Sequence, residues 1–151
     1  MLGQAITAAA GFLLAVLWFD LMFDVQVARH RAEPLVPEPV LGSIAAYYRR
    51  VTTTASPMGR LVGLVMLALL ACLIAQAIDG DAPVWVSVVS FAGAVTGIGL
   101  AGARIFADAR RLGTRADPAD VQSSLARRIF RGHLVCLAAM IAVLAAQLIG
   151  A

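Results

Sequence analysis

The chain has 151 residues, 61% of them hydrophobic and 14% charged, with a formal net charge of +3. A soluble domain averages about 45–50% apolar and roughly 25% charged residues, and a disordered chain is poorer still in apolar ones. With a mean hydropathy of +0.87, the composition excludes both classes and points to a single transmembrane domain over residues 1–151.

In chain order, the first apolar run covers residues 3–27 and is interrupted by Gln4, Asp20, Asp24 and Gln26. No basic residue precedes it, so it does not read as a cleavable signal peptide. Pro34, Pro37 and Pro39 then form a stiff extended stretch. Val40, Leu41, Ile44, Tyr47, Tyr48 and Val51 follow at helical spacing beside Arg49 and Arg50. They predict an amphipathic helix that lies on the membrane surface or packs under the bundle. Ser56 and Pro57 read as cap and first residue of the second span, 58–78, which Asp79-Gly80 ends. Pro83 opens the third span, 84–107, with Trp85 at its outer interface and Gly113 as the expected C-cap. Asp117-Pro118-Ala119-Asp120 starts the last helix, whose span is 129–149. The fold class expected is therefore all-α: a polytopic four-helix membrane bundle with an additional amphipathic interfacial helix in the first loop.

The twelve basic residues are all Arg, and all fall within 29–60 and 104–131. The short second loop carries Asp79 and Asp81 and no Arg, and neither terminus carries a basic residue. The positive-inside rule then makes loops 28–57 and 108–128 cytoplasmic and puts both termini outside an inner or plasma membrane. The same segregation argues against a nucleic-acid partner, which calls for a basic patch on a soluble module with stacking aromatics.

Helical geometry, about 100° per residue, puts Ser90, Gly93, Gly97, Ala101 and Arg104 on one stripe of the third span. Gly99 and Gly102 lie nearly opposite. Small residues let helices approach closely in lipid. Two small faces predict a central helix or one that contacts another subunit, and so a homo-oligomer or a larger membrane complex. On the last helix Arg127, Arg128 and Arg131 share one side. Ile129, His133, Cys136, Met140 and Gln147 share the other, which is expected to face the bundle.

Asp20 and Asp24 stand one turn apart on the first helix, about 13 Å and about 7 Å from the level of Arg29. Acids at such depth are costly and normally face the interior with a partner. Arg104 is the expected partner, then Arg60 or Arg131. A polar cluster of Asp20, Asp24, Arg104, Asp108 and His133 is predicted, with His30 and Tyr47 or Tyr48 as further members. It reads either as an ion-pair lock or as a ligand, proton or metal site, with Asp20, Asp24 and His133 as metal candidates. His30 with His133 also allows a bis-His haem. Cys72 and Cys136 lie at different depths and are expected as free thiols.

Tyr47-Tyr48-Arg49-Arg50-Val51, ahead of the second span, and Arg131-Gly132-His133-Leu134, at the start of the fourth, carry a resemblance. The layout resembles the anthrone-oxygenase-like small four-helix membrane proteins, in which the latter segment often holds Asn-His. Gly132 stands in place of that Asn. The resemblance implies His133 as a site residue and an oxygenase-like enzyme. Three function classes follow: an accessory or scaffold subunit, a small transporter, and a membrane enzyme acting on a lipophilic substrate. The outer half offers only Gln4, Gln76, Ser87, Ser90, Thr96 and Gln147 as polar groups, too few for a continuous ion path.

Overall fold

The computed structural model describes residues 1–54 and 56–151. Helix α1 runs Leu2–Asp24 and tightens into a 3-10 stretch, Val25–His30, before the prolines. Pro37, with its extended ψ of 143°, caps α2 (Glu38–Arg49), and Glu38 sits in the positive first turn. A π-helical segment, Arg50–Thr54, leads to α3 (Ser56–Asp79). The expected cap at Ser56 falls on a side chain outside those described. Gly80 ends α3 with a φ of +70°, a conformation glycine takes without penalty. Pro83 opens α4 (Val84–Leu100), and its carbonyl accepts from the Val86 and Ser87 amides at 2.9 and 3.2 Å. A second π segment, Ala101–Ile105, joins α4 to α5 (Phe106–Thr114), and Pro118 opens α6 (Ala119–Ile149). Among the described residues, four continuous helical runs are long and apolar enough to cross a membrane: Leu2–His30, Pro57–Asp79, Val84–Thr114 and Ala119–Ile149.

The middle position in the bundle belongs to α6, which packs extensively against both α4 and α1, while α3 lies mainly on α1 and touches α4 less. This corrects the expectation of a central third span. One small face of α4 is used: a Cβ on Gly93 would stand 2.8 Å from the Ala139 carbonyl oxygen of α6. The other is open, since a Cβ on Gly99 or Gly102 would meet no atom within 4 Å. The buried side of α6 carries Ile129, His133, Cys136, Met140, Val143 and Gln147.

The arginine-bearing end of the bundle is closed by α2 and α5. The apolar side of α2 (Leu41, Ile44, Ala45, Tyr48) is buried in a core shared with Leu112 of α5 and Leu125 and Ile129 of α6. Gly113 is not the cap of its helix. That place falls to Arg115, whose φ of 57° is left-handed. Gly113 serves the packing instead: a Cβ there would come within 2.9 Å of the Arg49 backbone nitrogen. Arg127 departs from the purely outward role expected of it, for its guanidinium gathers the carbonyls of His30, Glu33 and Pro34. With the Ser123 hydroxyl accepting from the Val36 amide at 3.0 Å, it docks the proline-rich loop onto α6.

Candidate functional site

The one-turn spacing of Asp20 and Asp24 aims both carboxylates from α1 toward α6 and α2. Asp24 is fully buried. Its Oδ1 accepts from the Tyr48 hydroxyl at 2.6 Å, and its Oδ2 lies 2.6 Å from His133 Nδ1. The single hydroxyl proton of Tyr48 is spent on Oδ1. The imidazole therefore meets Oδ2 with a proton on Nδ1, which leaves Nε2 as the open ring nitrogen. His133 is 6% exposed. The nearest carboxylate oxygen to its Nε2 is Asp20 Oδ2 at 3.8 Å, beyond hydrogen-bond distance. The other oxygen of Asp20, Oδ1, accepts from the Tyr47 hydroxyl at 2.7 Å.

Neighbouring residues on a helix point about 100° apart, and this lets Tyr47 and Tyr48 reach two carboxylates one turn apart. Tyr47 is held by stacking on Phe23, with ring centroids 4.1 Å apart and planes at 10°. The Thr52 hydroxyl ties the following π segment back to the Tyr48 carbonyl at 2.7 Å. Burial, reinforced by the Asp20 carboxylate, raises the Tyr47 phenol above its ordinary value; burial and Asp24 raise Tyr48 likewise. Both remain neutral donors across the physiological range.

Beside the cluster lies a cavity of about 280 Å³, walled mainly by apolar side chains from α1, α3, α4 and α6 and floored by α2. Asp20, Tyr47, Tyr48 and His133 line its polar end. Met58 of α3, Gly102 of the Ala101–Ile105 segment and Phe106 of α5 are the exposed members of its wall and mark the mouth, between the start of α3 and the junction of α4 with α5. The contribution of α3, through Gly59, Val62, Gly63 and Met66, had no signal in the sequence beyond apolarity.

Of the predicted cluster, the structure brings together Asp20, Asp24 and His133 and adds both tyrosines. It does not bring in Arg104, which is exposed and makes no ion pair with either carboxylate. A π turn takes in one residue more than an α turn, so the Ala101–Ile105 segment rotates Arg104 off the small-residue stripe. Ile105 takes the buried place instead, against Gly132. Arg60 and Arg131 are exposed as well. Asp108 lies on the far side of the helix pair, bound by both forks of Arg128 at 3.0 and 3.1 Å. His30 pairs with Glu33 at 2.9 Å, away from the cluster.

Metal binding by Asp20, Asp24 and His133 together has no support in the geometry, because the two carboxylates face opposite nitrogens of one ring. Among the described residues no group of three or more His, Cys, Asp or Glu side chains is placed to hold a metal ion. Cys72 and Cys136 are free, and Cys136 donates to the Gly97 carbonyl at 3.4 Å.

Comparison with family models, with curated proteins and with solved structures finds no match to this chain.

Proposed function

We propose that the chain is a multi-pass membrane protein that takes a lipophilic small molecule into the cavity beside α3 and α4 and exchanges a proton with its polar end. The observation that carries this reading is the combination of an apolar cavity with an ionisable end whose one open nitrogen, His133 Nε2, belongs to a buried side chain. Ligand sites are typically apolar hollows with a few placed polar groups, and buried ionisable groups of spanning helices mark function by default. The apolar rim of the mouth, Met58 and Phe106, suits entry from lipid.

Outward-pointing apolar side chains such as Trp18, Leu64, Leu67, Val88, Val95 and Ile141 support insertion. The arginine segregation supports cytoplasmic loops 28–57 and 108–128, with α2 at the inner interface and both termini outside an inner or plasma membrane. A C-terminal reporter fusion should give an external signal, and a cytoplasmic one would overturn that orientation.

A second reading, a membrane enzyme, draws on the Asp24–His133 pair. A carboxylate on Nδ1 holds the imidazole in the tautomer that presents Nε2 as a general base. Assembly with further subunits belongs to the proposal too, supported by the open small-residue face at Gly99 and Gly102.

Nile red, a lipophilic fluorophore, tests the cavity reading in the purified protein. Gly63 lines the cavity and Gly11 does not, and a Cβ at either meets no atom within 4 Å. Gly63→Phe should therefore fill the cavity without a backbone clash and weaken saturable binding by about tenfold or more, a loss of ~1.4 kcal/mol or greater. Gly11→Phe should leave it unchanged. Equal binding by both variants would overturn the reading.

A further inference from the structure

We infer that the cavity selects a lipophilic amine, held as its cation by the Asp20 carboxylate and taken up in exchange for a proton; this rests on the cavity reading above.

The first support is the inventory of donors at the polar end. The Tyr47 hydroxyl donates to Asp20, and the Tyr48 hydroxyl to Asp24. Thr52 donates to the Tyr48 carbonyl, Cys136 to the Gly97 carbonyl, and His133 Nδ1 to Asp24. Among the described residues, each side-chain donor of the lining is thus spent inside the protein. What faces the cavity unspent is a pair of acceptors, Asp20 Oδ2 and His133 Nε2, 3.8 Å apart. That spacing is too long for a hydrogen bond between them, and a donor group of a ligand can serve both. A ligand whose polar end only accepts can bind only while the site keeps its own proton on Asp20.

The second support is charge. From α1 the site receives Asp20 and Asp24, from α2 the two tyrosines, and from α6 His133 and Cys136. The segments α3 and α4 line the cavity without a charged side chain. Arg29, Arg49, Arg60, Arg104 and Arg131 are exposed and pair with neither aspartate. Two carboxylates therefore share one imidazole. Even a doubly protonated ring neutralises only one of them, so the other needs a proton or a cation in so apolar a setting. An alcohol brings no charge, so the site must keep its proton and gives up an acceptor to it. A carboxylate ligand worsens both. An ammonium group meets both requirements. In the empty site Asp20 carries the proton. On binding, the carboxylic acid and R–NH3+ become a carboxylate–ammonium pair, and one proton leaves to solvent. No covalent bond other than that O–H is broken.

Isothermal titration of the full chain in zwitterionic nanodiscs with n-octylamine, n-octanol and octanoate separates these ligands at matched chain length. The amine should bind tighter than the alcohol by about tenfold or more, and octanoate weakest. Repeating the amine titration in buffers of different ionisation enthalpy should show one proton released per amine bound. Asp20→Asn should erase the preference for amine over alcohol and the proton release. Equal affinity for amine and alcohol, amine binding that survives Asp20→Asn undiminished, or binding by the unaltered protein without proton release overturns the amine assignment and leaves the cavity reading standing. Absence of saturable binding by all three ligands overturns both. The proton count on the unaltered protein decides the matter even if Asp20→Asn fails to fold.

Discussion

The bundle buries a polar network toward each end, and the two differ in chemistry. At the end of the short Asp79–Pro83 loop, Gln76 and Gln147 exchange reciprocal hydrogen bonds at 3.1 and 2.9 Å, and Gln147 also donates to the Ser90 hydroxyl at 3.0 Å. The groups are neutral, their bonds run between α3, α6 and α4, and none of the three residues lines the large cavity. At the arginine-bearing end the groups are ionisable, one acid outnumbers the available base, and a ring nitrogen is left open toward an empty volume. Neutral amides that bond to each other fix helix register with no charge to compensate. An unbalanced acid–base set costs stability on its own and calls for something further to bind. Burial of polar residues alone does not mark a site; incomplete pairing beside a cavity does.

The sharpest way to break the comparison is to remove the central acid. Asp24→Ala leaves the Tyr48 hydroxyl and His133 Nδ1 without their acceptor in a fully buried place. It should destabilise the protein by about 2–5 kcal/mol, the cost of two stranded buried donors, read as a lowered thermal midpoint in detergent. Asp24→Asn should cost less and act differently. Its carbonyl can still accept from Tyr48, while its NH2 turns His133 to the other tautomer, so that Nε2 becomes a donor. That variant should stay folded and lose its affinity for n-octylamine. If Asp24→Ala costs less than about 1 kcal/mol, the buried pair is not an organising element.

The opposite end should behave as structure alone. Gln147→Leu strands the Gln76 amide and should cost about 1–3 kcal/mol. The Gln76→Leu, Gln147→Leu double variant should cost less than the two single changes summed, because neither amide is then left unpaired. Nile red and amine binding should be unaffected in all three variants. A change in either would mean that the cavity extends to the glutamines and that the two networks work together.

The two tyrosines, the chain's full complement, allow the ionisable end to be followed spectroscopically. Both phenols are raised above the ordinary value of 10.0. A group whose folded value is raised contributes stability in full below its unfolded value and loses it as pH climbs through the folded one. Tyrosinate absorbance should thus be missing in the folded protein above pH 10.0 and appear together with unfolding, while neutral and mildly acidic conditions leave both hydrogen bonds in place. A smooth titration near the ordinary value in folded protein would show that Tyr47 and Tyr48 are not engaged as described.

Much of this architecture is legible in the amino-acid sequence. Run length and uninterrupted apolarity give the four helices long and apolar enough to cross a membrane, because hydrocarbon thickness imposes a minimum. The prolines at 83 and 118 mark helix starts, because proline lacks the amide that a helix leaves free there. The meeting of Asp20, Asp24 and His133 follows from periodicity and the cost of burying charge. Periodicity also explains why Arg104 departs from its expected place. The 100° rule assumes an unbroken α-helix, and the Ala101–Ile105 π segment breaks it without leaving a mark in the sequence. Gly113 carries two meanings, helix cap or close approach, and only the position of α2 separates them. The cavity depends on how far α3 stands from α4, a tertiary distance that no single helix encodes.

The smallest effect expected is at Arg104, and it sharpens the comparison by its absence. If Arg104 compensated the aspartates, Arg104→Gln would rescue part of the loss caused by Asp24→Asn, since removing both partners of a buried pair leaves no orphan charge. The structure turns Arg104 outward, and the site's charge is divided between two carboxylates and one imidazole with no guanidinium among them. Arg104→Gln alone should leave the thermal midpoint and the amine affinity unchanged. In a double-mutant cycle with Asp24→Asn the coupling should fall within about 0.5 kcal/mol of zero, the range of independent sites. A larger coupling, with the double variant more stable than Asp24→Asn alone, would return Arg104 to the site. It would supply the fixed cation whose absence leaves Asp20 in need of a proton or an ammonium, and the exchange of one for the other would lose its physical basis.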